Sequence, residues 1–165
     1  MRRFILCITL AICITGCGGE DSVRQPQPRE PAPASEVPSA ISAEDARKLF
    51  VAGDLDTLAN HAVSGEPEAQ YYLATLYHLG RVVQRNDSKA AWWYLSAADQ
   101  NHSRAQCMLG YFYVQGFGAA QDYRKARSWF FKAAEQGNPS AQAYLALLYL
   151  QGWGGERDEA EARAW

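Results

Sequence analysis

The sequence predicts an all-α solenoid built from antiparallel pairs of helices. Three observations support this prediction. A residue pattern recurs every 36 positions, the apolar residues of each unit follow helical spacing, and glycine or asparagine interrupts the pattern at fixed places. Such a period is typical of arrays in which each helical unit buries its apolar face only by stacking on its neighbours.

The period becomes visible when residues 105–140 are shifted by 36 positions in either direction. Identical residue types then coincide in more columns than chance would align. The coinciding columns are Ala69, Ala105 and Ala141; Gln70, Gln106 and Gln142; Leu73, Leu109 and Leu145; Tyr77, Tyr113 and Tyr149; Gly80, Gly116 and Gly152; Ala90, Ala126 and Ala162; and Trp93, Trp129 and Trp165.

Residues 1–16 are predicted to be a lipoprotein signal peptide. A basic start precedes an apolar run of eleven residues, which is shorter than the roughly 20 residues that span a bilayer. The run ends in Ile14-Thr15-Gly16-Cys17, which resembles the lipobox of bacterial lipoproteins. An ordinary signal peptide with an incidental cysteine is the alternative. The resemblance implies cleavage before Cys17 and attachment of acyl chains, palmitate among them, to that cysteine.

Residues 17–41 are predicted to be the lipidated cysteine followed by a disordered linker. This stretch contains five of the seven prolines and no aromatic residue, so it cannot bury enough apolar surface to order itself. A proline-rich chain of this kind is a semi-extended tether. The residue after Cys17 is Gly18 rather than Asp, which in such lipoproteins favours the outer membrane and an orientation toward the periplasm.

Residues 42–68 are predicted to form a helical hairpin that caps the array. Ser42 is a good N-cap for a helix over residues 43–52, which Gly53 would end. A second helix is expected over residues 55–63. The pair lacks the tryptophan and tyrosine columns of the later units, and terminal units of arrays are usually atypical because they cap the stack.

Residues 69–165 are predicted to hold three repeats, 69–104, 105–140 and an incomplete 141–165. Each begins with helix A, over about residues 68–79 in the first unit, and a glycine ends it in the left-handed conformation. Pro67 and Pro139 fall in the first turn of helix A, where a missing N–H is harmless. The residues that share its buried face in the first unit are Ala69, Leu73, Leu76 and Tyr77.

Helix B of each unit opens at a predicted N-cap and closes at a residue that tolerates positive φ. The caps are Asn86, Asp122 and Asp158, and the closing residues are Asn101 and Gly137, in register with Gly65. Ala90, Trp93, Tyr94 and Ala97 share one face of the first helix B. The alanine columns are expected to let neighbouring helices approach, and the tryptophan column to fill the gaps between them.

The run over residues 116–142, GFGAAQDYRKARSWFFKAAEQGNPSAQ, resembles the Sel1-like repeat, a relative of the tetratricopeptide repeat. The resemblance covers residues 69–165. It implies a right-handed superhelix of antiparallel helix pairs that serves as a scaffold for protein contacts. The first unit departs from the pattern because Val82 stands where later units have Gly118 and Gly154, so its loop is expected to bend differently.

No catalytic, metal or cofactor site is indicated by the sequence. The glycine-rich turns recur at the repeat period, follow no strand and precede no Lys-Ser/Thr pair, so they are interpreted as structural turns rather than phosphate cradles. His61, His78 and His102 occupy unrelated positions in their units and show no ligand spacing. His78 and His102 are expected to be exposed, and a β-branched residue at positive φ is strained, so Gly116→Val should destabilise the fold more than His78→Ala or His102→Ala. The chain is therefore predicted not to be an enzyme.

The cysteine count indicates a structural role for Cys107, and the net charge argues against nucleic-acid binding. Two of the four cysteines leave with the signal peptide and Cys17 is acylated, so Cys107 alone remains, and it is predicted to be a small buried hydrophobe. The whole chain has 16 basic and 18 acidic residues, and loss of Arg2 and Arg3 brings the net charge to about −4. A mildly acidic domain is a poor nucleic-acid binder.

A partner-binding groove is predicted on the A helices, where some columns vary while the packing columns stay constant. The varying residues form a stripe rich in aromatic side chains that is suited to a peptide or a helix. The alternative is that they pack against the neighbouring helix A. The predicted groove residues are Tyr72, Met108 and Tyr144, and Thr75, Tyr111 and Leu147; Leu79, Gln115 and Gln151 continue the stripe.

The function that follows is a membrane-anchored interaction scaffold of the bacterial envelope, with other envelope proteins or peptide segments as partners. The alternative is β-lactam binding or envelope hydrolysis, as claimed for the cysteine-rich Sel1-like proteins. Those proteins carry paired cysteines in each unit, and this chain would retain Cys107 alone.

The third unit stops within its helix B. An unfinished unit is expected to leave Leu145, Leu148, Tyr149 and Trp165 without a polar cap. The sequence is therefore expected to belong to a longer protein, or its carboxyl end to be covered by a partner or by a second copy of the chain.

Overall fold

The computed structural model describes residues 40–165, which form eight α-helices. The predicted signal peptide, Cys17 and nearly all of the predicted linker lie outside the described residues. The helices are α1 (Ala43–Ala52), α2 (Leu55–Val63), α3 (Pro67–Leu79), α4 (Asp87–Asp99), α5 (Ser103–Gln115), α6 (Tyr123–Glu135), α7 (Pro139–Gln151) and α8 (Glu159–Ala164).

Within residues 40–165, no helix combines the length and apolar character that crossing a membrane requires.

Local sequence signals set the helix ends. Ser42 accepts a hydrogen bond from the backbone N–H of Asp45, and Asn86, Asp122 and Asp158 cap α4, α6 and α8 in the same way. Each predicted B-helix cap is therefore confirmed. Gly53, Gly80, Gly116 and Gly152 end α1, α3, α5 and α7 in the left-handed conformation. Asn101 is the one non-glycine residue of the described chain with a positive φ, at 63°.

The helices stack as a solenoid in which each one packs against the helix before it and the helix after it. In the repeat pairs the A helices are α3, α5 and α7, and the B helices are α4, α6 and α8. The α1/α2 hairpin packs on α3, where the sequence predicted a capping hairpin. The A and B alanine columns are fully or almost fully buried, so the backbones approach closely there.

The residue that fills the space between the helices lies one position after the predicted tryptophan column. Tyr94 and Phe130 are fully buried, whereas Trp93 and Trp129 are half-buried. The Phe130 ring fits because α5 carries Gly110 beside it, where a Cβ would lie 2.9 Å from two of the ring carbons. Trp93 and Trp129 also pack against the core, and Trp93 contacts two successive clusters, so the tryptophan column does contribute to the packing between helices. The fully buried ring lies one position later, because a shift of one position rotates a side chain by about 100° around the helix.

The second glycine of the turn has a packing role that the sequence did not reveal. Gly118 has a φ of 68°, and a Cβ there would lie 2.7 Å from the carbonyl carbon of Asp87, at the start of the preceding B helix. Gly154 makes the same approach to Tyr123. Val82 takes an ordinary φ instead and lies beside Gly53, so the first loop does differ as expected.

A ladder of glutamines joins successive units. The side-chain amide of Gln106 donates to the carbonyl of Ala98 at 3.2 Å, and its oxygen accepts from Gln136 at 2.6 Å. Gln70 repeats both bonds one unit earlier, with Ala62 and Gln100. These buried polar side chains are satisfied across unit boundaries, so they fix the register of one helix pair on the next.

The expected exposure of the third unit is wrong for three of its four named residues. Leu145, Leu148 and Tyr149 are at most 9% exposed, because α6 and α8 both pack on α7. Trp165 is half-buried and meets the ring of Phe131 edge-on at 5.6 Å. The predicted self-association depended on the exposure of these four side chains, and three of them are buried.

Candidate functional site

A groove of about 410 Å3 opens across the A helices, and we call it the A-face groove. Three tyrosines from three successive A helices supply its aromatic surface. The residues that line it are Tyr71 of α3; Arg104, Cys107, Met108 and Tyr111 of α5; and Asn138, Ser140 and Tyr144 at and after the start of α7.

Three of the six predicted groove residues line this groove, namely Met108, Tyr111 and Tyr144. The Tyr111 and Tyr144 rings lie 6.1 Å apart, and Tyr144 stacks on the buried Phe130 at 4.9 Å. Phe130 thus packs on one face of the Tyr144 ring, and Tyr144 also lines the groove. A rigid aromatic surface of this kind binds apolar side chains with little loss of conformational entropy.

The other three predicted residues lie elsewhere. Tyr72 is 7% exposed because its ring packs against Phe50 of α1 at 5.1 Å. Thr75 turns inward. Its Oγ1 lies within hydrogen-bond distance of both the carbonyl oxygen of Tyr71 and the hydroxyl of Tyr94. Leu147 is exposed on α7 and does not line the groove.

Arg104 gives the groove a cationic edge that sequence reasoning missed. Its guanidinium forms an ion pair with Glu68 and lies 4.6 Å from the centre of the Tyr71 ring. It also donates to the Tyr72 hydroxyl at 3.3 Å. Burial raises the pKa of Tyr71, so its hydroxyl stays neutral beside this cation. The pairing of Glu68 with a residue exactly one period later was the signal in the sequence that could have found this edge.

His102 supports the same edge from within the fold. Its Nδ1 accepts from the backbone N–H of Ala105 at 3.1 Å, which makes it the N-cap of α5, and its Nε2 lies 3.2 Å from a carboxylate oxygen of Glu68. Burial lowers the pKa of His102. The neutral ring therefore caps the helix with one nitrogen and donates to Glu68 with the other.

The prediction that His78 and His102 are exposed is wrong, since both are partly buried. His61 is 7% exposed and faces Glu66 at 3.3 Å, and His78 bonds Asp87 at 2.8 Å. Each of the three thus contacts a carboxylate that stabilises its position. His78→Ala and His102→Ala are consequently unsuitable as silent controls for Gly116→Val.

The floor of the A-face groove contains a cysteine. Cys107 is buried in its floor, and burial raises the pKa of its thiol to about 11, so it is protonated and unreactive at neutral pH. Among residues 40–165, no group of three or more histidine, cysteine or acidic side chains is placed to hold a metal ion.

The sequence model of the Sel1 repeat matches residues 67–102, 103–138 and 139–165, and each match begins at helix A. Among curated proteins, 66 residues are 39% identical to the ERAD-associated E3 ubiquitin-protein ligase component HRD3A of Arabidopsis thaliana. That match covers 39% of this chain and 10% of the plant protein, so the chain spans only a small part of its relative.

Three solved structures share the fold. The Escherichia coli protein c5321, a protective antigen of uropathogenic strains that displays an SLR fold, is 30% identical with a TM-score of 0.70, over 74% of this chain and 28% of that one. A Sel1 repeat protein from Oxalobacter formigenes is 37% identical with a TM-score of 0.62, over 68% and 84%. Helicobacter pylori cysteine rich protein B is 26% identical with a TM-score of 0.51, over 58% and 68%.

Proposed function

This chain belongs to the Sel1 repeat family, and we propose that it is a membrane-anchored scaffold that holds protein partners in the bacterial envelope through its A-face groove. Sel1 repeat proteins generally mediate contacts between proteins, and their scaffold is generally non-catalytic. The location in the bacterial envelope and the use of the A-face groove for binding are our proposal for this chain.

The observation that carries the proposal is the line of Tyr71, Tyr111 and Tyr144 across three successive A helices. Tyrosine is enriched at protein interfaces because it offers a large, stiff apolar surface with a polar tip. Arg104 at the edge adds a charge that orients a partner. The groove therefore fits an extended peptide or a helix of another envelope protein that presents apolar side chains in a row.

The anchor is part of the proposal and rests on the sequence. Lipidation of Cys17 would hold the protein on the outer membrane, facing the periplasm, and the proline-rich linker would carry the array away from the lipid surface. More than one acyl chain is needed for stable anchoring, at about 0.8 kcal/mol per buried methylene.

No observation favours the alternative of β-lactam binding or envelope hydrolysis. The proteins for which these activities are claimed carry paired cysteines in each unit, whereas Cys107 is the one cysteine among residues 40–165, and its buried thiol has a raised pKa.

Site-specific photo-crosslinking of the full chain in envelope preparations tests the proposal. A photoreactive phenylalanine analogue in place of Met108, inside the groove, should form a discrete adduct with a partner. Combining it with Tyr111→Ala and Tyr144→Ala should abolish that adduct. The same analogue at Leu150, which is 42% exposed and does not line the groove, is the matched control. Equal adducts from both positions, or an adduct that survives loss of the tyrosines, would rule the groove out.

A further inference from the structure

His102 links the start of α5 to the edge of the A-face groove through one carboxylate. Its Nδ1 is the acceptor that caps α5 at the N–H of Ala105, and its Nε2 lies 3.2 Å from Oε1 of Glu68. The other oxygen of Glu68, Oε2, pairs with the guanidinium of Arg104. The histidine and the arginine therefore hold the same carboxylate, and a change at one of them reaches the other.

Arg104 carries that link into the groove. It is the second residue of α5, and its guanidinium lies 4.6 Å from the centre of the Tyr71 ring and 5.3 Å from the centre of the Tyr72 ring. Arg104 and Tyr71 both line the groove. Because the arginine side chain leaves the backbone in the first helical turn, the guanidinium stays over Tyr71 only while that turn keeps its helical conformation.

A proton on Nδ1 of His102 removes the cap of α5. Both ring nitrogens then carry hydrogen, so the ring presents a donor to the N–H of Ala105. Ala105 is fully buried, and its N–H therefore has no access to water as a replacement acceptor. The new positive charge also lies at the positive end of the helix dipole. The imidazolium is thus repelled from the start of α5, and the first turn loses the bond that orders it.

The charged groups that act on His102 come from α3 and α5. Burial is the main cause of its lowered pKa, while Glu68 raises the pKa and Arg104 lowers it. The titratable ring of Tyr71 faces the imidazole at 5.2 Å. The charged side chains in the last turns of the two helices that pack on α5 have no part in this pKa shift; they are Asp99 of α4, and Lys132 and Glu135 of α6. The cap is therefore complete above pH 6.5 and is lost as the pH falls through the lower folded-state pKa.

The flanking repeat units lack this combination. Asn138 stands 36 residues after His102 and caps α7 with an amide oxygen that accepts at any pH, and Ser140 stands in the place of Arg104. Glu66, 36 residues before His102, gives α3 no side-chain cap. Within residues 66–165, only the middle unit joins a titratable cap to a cation that lies over a groove tyrosine.

We propose that protonation of His102 releases Arg104 from the Tyr71 ring and thereby loosens the edge of the A-face groove between α3 and α5. A partner then meets a less ordered surface, so its binding weakens in acid. This consequence rests on the proposed function, because it adds a regulation to the same groove. The movement of Arg104 itself requires no partner, and it can be measured on the chain alone.

The δ-methylene signal of Arg104 in ¹³C–¹H spectra of the full chain reports the contact, because the Tyr71 ring shifts this signal while the guanidinium lies over it. Arg104→Lys assigns the signal. The ring signal of His102 is followed in the same spectra between pH 7.5 and pH 5.0. In the wild type the two signals should titrate with one midpoint, below pH 6.5.

Two controls separate His102 from other causes. The Arg127 guanidinium lies 3.9 Å from the centre of the Tyr149 ring on a helix that Asp122 caps, so the Arg127 signal should not move. His102→Asn keeps an acceptor at every pH, and in this variant the Arg104 signal should also stay in place. If His102→Asn does not fold, as judged by circular dichroism, His102→Ser provides another uncharged cap.

The crosslinked adduct formed from position 108 measures the effect on binding. Its yield should fall about fivefold at the lower pH in the wild type, the low end of typical coupling between sites, and should not fall in His102→Asn. The release of Arg104 is overturned if its signal stays constant while His102 titrates, if it moves equally in His102→Asn, or if His102 does not titrate above pH 5.0. An adduct that persists while Arg104 moves overturns the loss of binding. No adduct at either pH, with Arg104 moving as expected, overturns the proposed function instead.

Discussion

At the scale of single residues, side chains in the same column perform the same task with different chemistry. His102 and Asn138 stand 36 residues apart, and each accepts a hydrogen bond from the backbone N–H three residues later. Asparagine can do so at any pH, whereas the histidine nitrogen accepts only while it is unprotonated. The amino terminus of α5 is therefore sensitive to acid in a way that α7 is not.

This difference leads to a prediction about His102. Because burial lowers its pKa below 6.5, the stability that it contributes is complete above pH 6.5 and is lost as the pH falls from 6.5 through the lower folded-state value. His102→Asn should keep the cap and lose less stability between pH 7.5 and 5.5 than the wild type does. His102→Ala should lose about 1 kcal/mol at pH 7.5 with the cap. Urea melts at the two pH values measure both effects, and identical pH dependence in wild type and His102→Asn would contradict the assignment.

Gly110 gives a second residue-scale prediction. Alanine in a helix interior is normally about 1 kcal/mol better than glycine, yet a Cβ at Gly110 would press on the fully buried Phe130 ring. Gly110→Ala should therefore destabilise the wild type but stabilise a chain that carries Phe130→Leu. Thermal melts of the wild type, the two single variants and the double variant measure the effect of Gly110→Ala on the melting temperature, which should change sign when Phe130→Leu is present. Additive effects of the two substitutions would mean that the two sites do not interact.

At the scale of elements, the turns between helices A and B decide how closely one unit approaches the next. Gly118 and Gly154 combine a positive φ with direct backbone contact to the preceding B helix. Gly137 also has a positive φ, of 78°, but a Cβ there would meet nothing within 4 Å. A Cβ at Gly137 would therefore add only the strain of the left-handed conformation. A Cβ at Gly118 would add the same strain and a collision with the backbone of α4.

Gly118→Ala and Gly137→Ala form a matched pair for this reason. Each variant should lose about 1–2 kcal/mol to the left-handed conformation, and only Gly118→Ala should lose about 1–3 kcal/mol more to overpacking against Asp87. Guanidinium chloride unfolding of both variants measures the difference. Equal unfolding midpoints for the two variants would mean that the turn can move away from α4 without loss of stability.

At the scale of the whole molecule, the proposal combines the A-face groove of the array with an attachment to a membrane. The A-face groove extends over three A helices, and the glutamine ladder holds the units that form it in one register.

The attachment is tested by Cys17→Ser. Because Cys17 is the proposed acylated residue, the variant should leave the membrane fraction, whereas Cys107→Ser should stay there because that cysteine is buried in the fold. Fractionation of cells that express each full-length variant gives the answer. If Cys17→Ser remains with the outer membrane as fully as the wild type, the anchor proposal fails.

The sequence alone determined where the helices lie, because their ends depend on local chemistry. A serine, asparagine or aspartate at the N-cap and a glycine with positive φ at the C-cap act within one turn of chain. The predicted bounds of α1 and α2 agree with the structure to the residue, and α3 begins one residue before its predicted start. The repeat period also predicted that successive pairs stack in the same way, and the constant alanine columns are buried in every unit.

The tertiary structure alone decided which side chains remain open. Tyr72 and Met108 share one column, but Phe50 of the first hairpin covers the tyrosine, whereas the methionine lines the groove. His102 meets Glu68 across 34 residues. Exposure, burial and charge pairing depend on the distance between units that are remote in the chain, and a residue pattern within one unit contains no information about that distance.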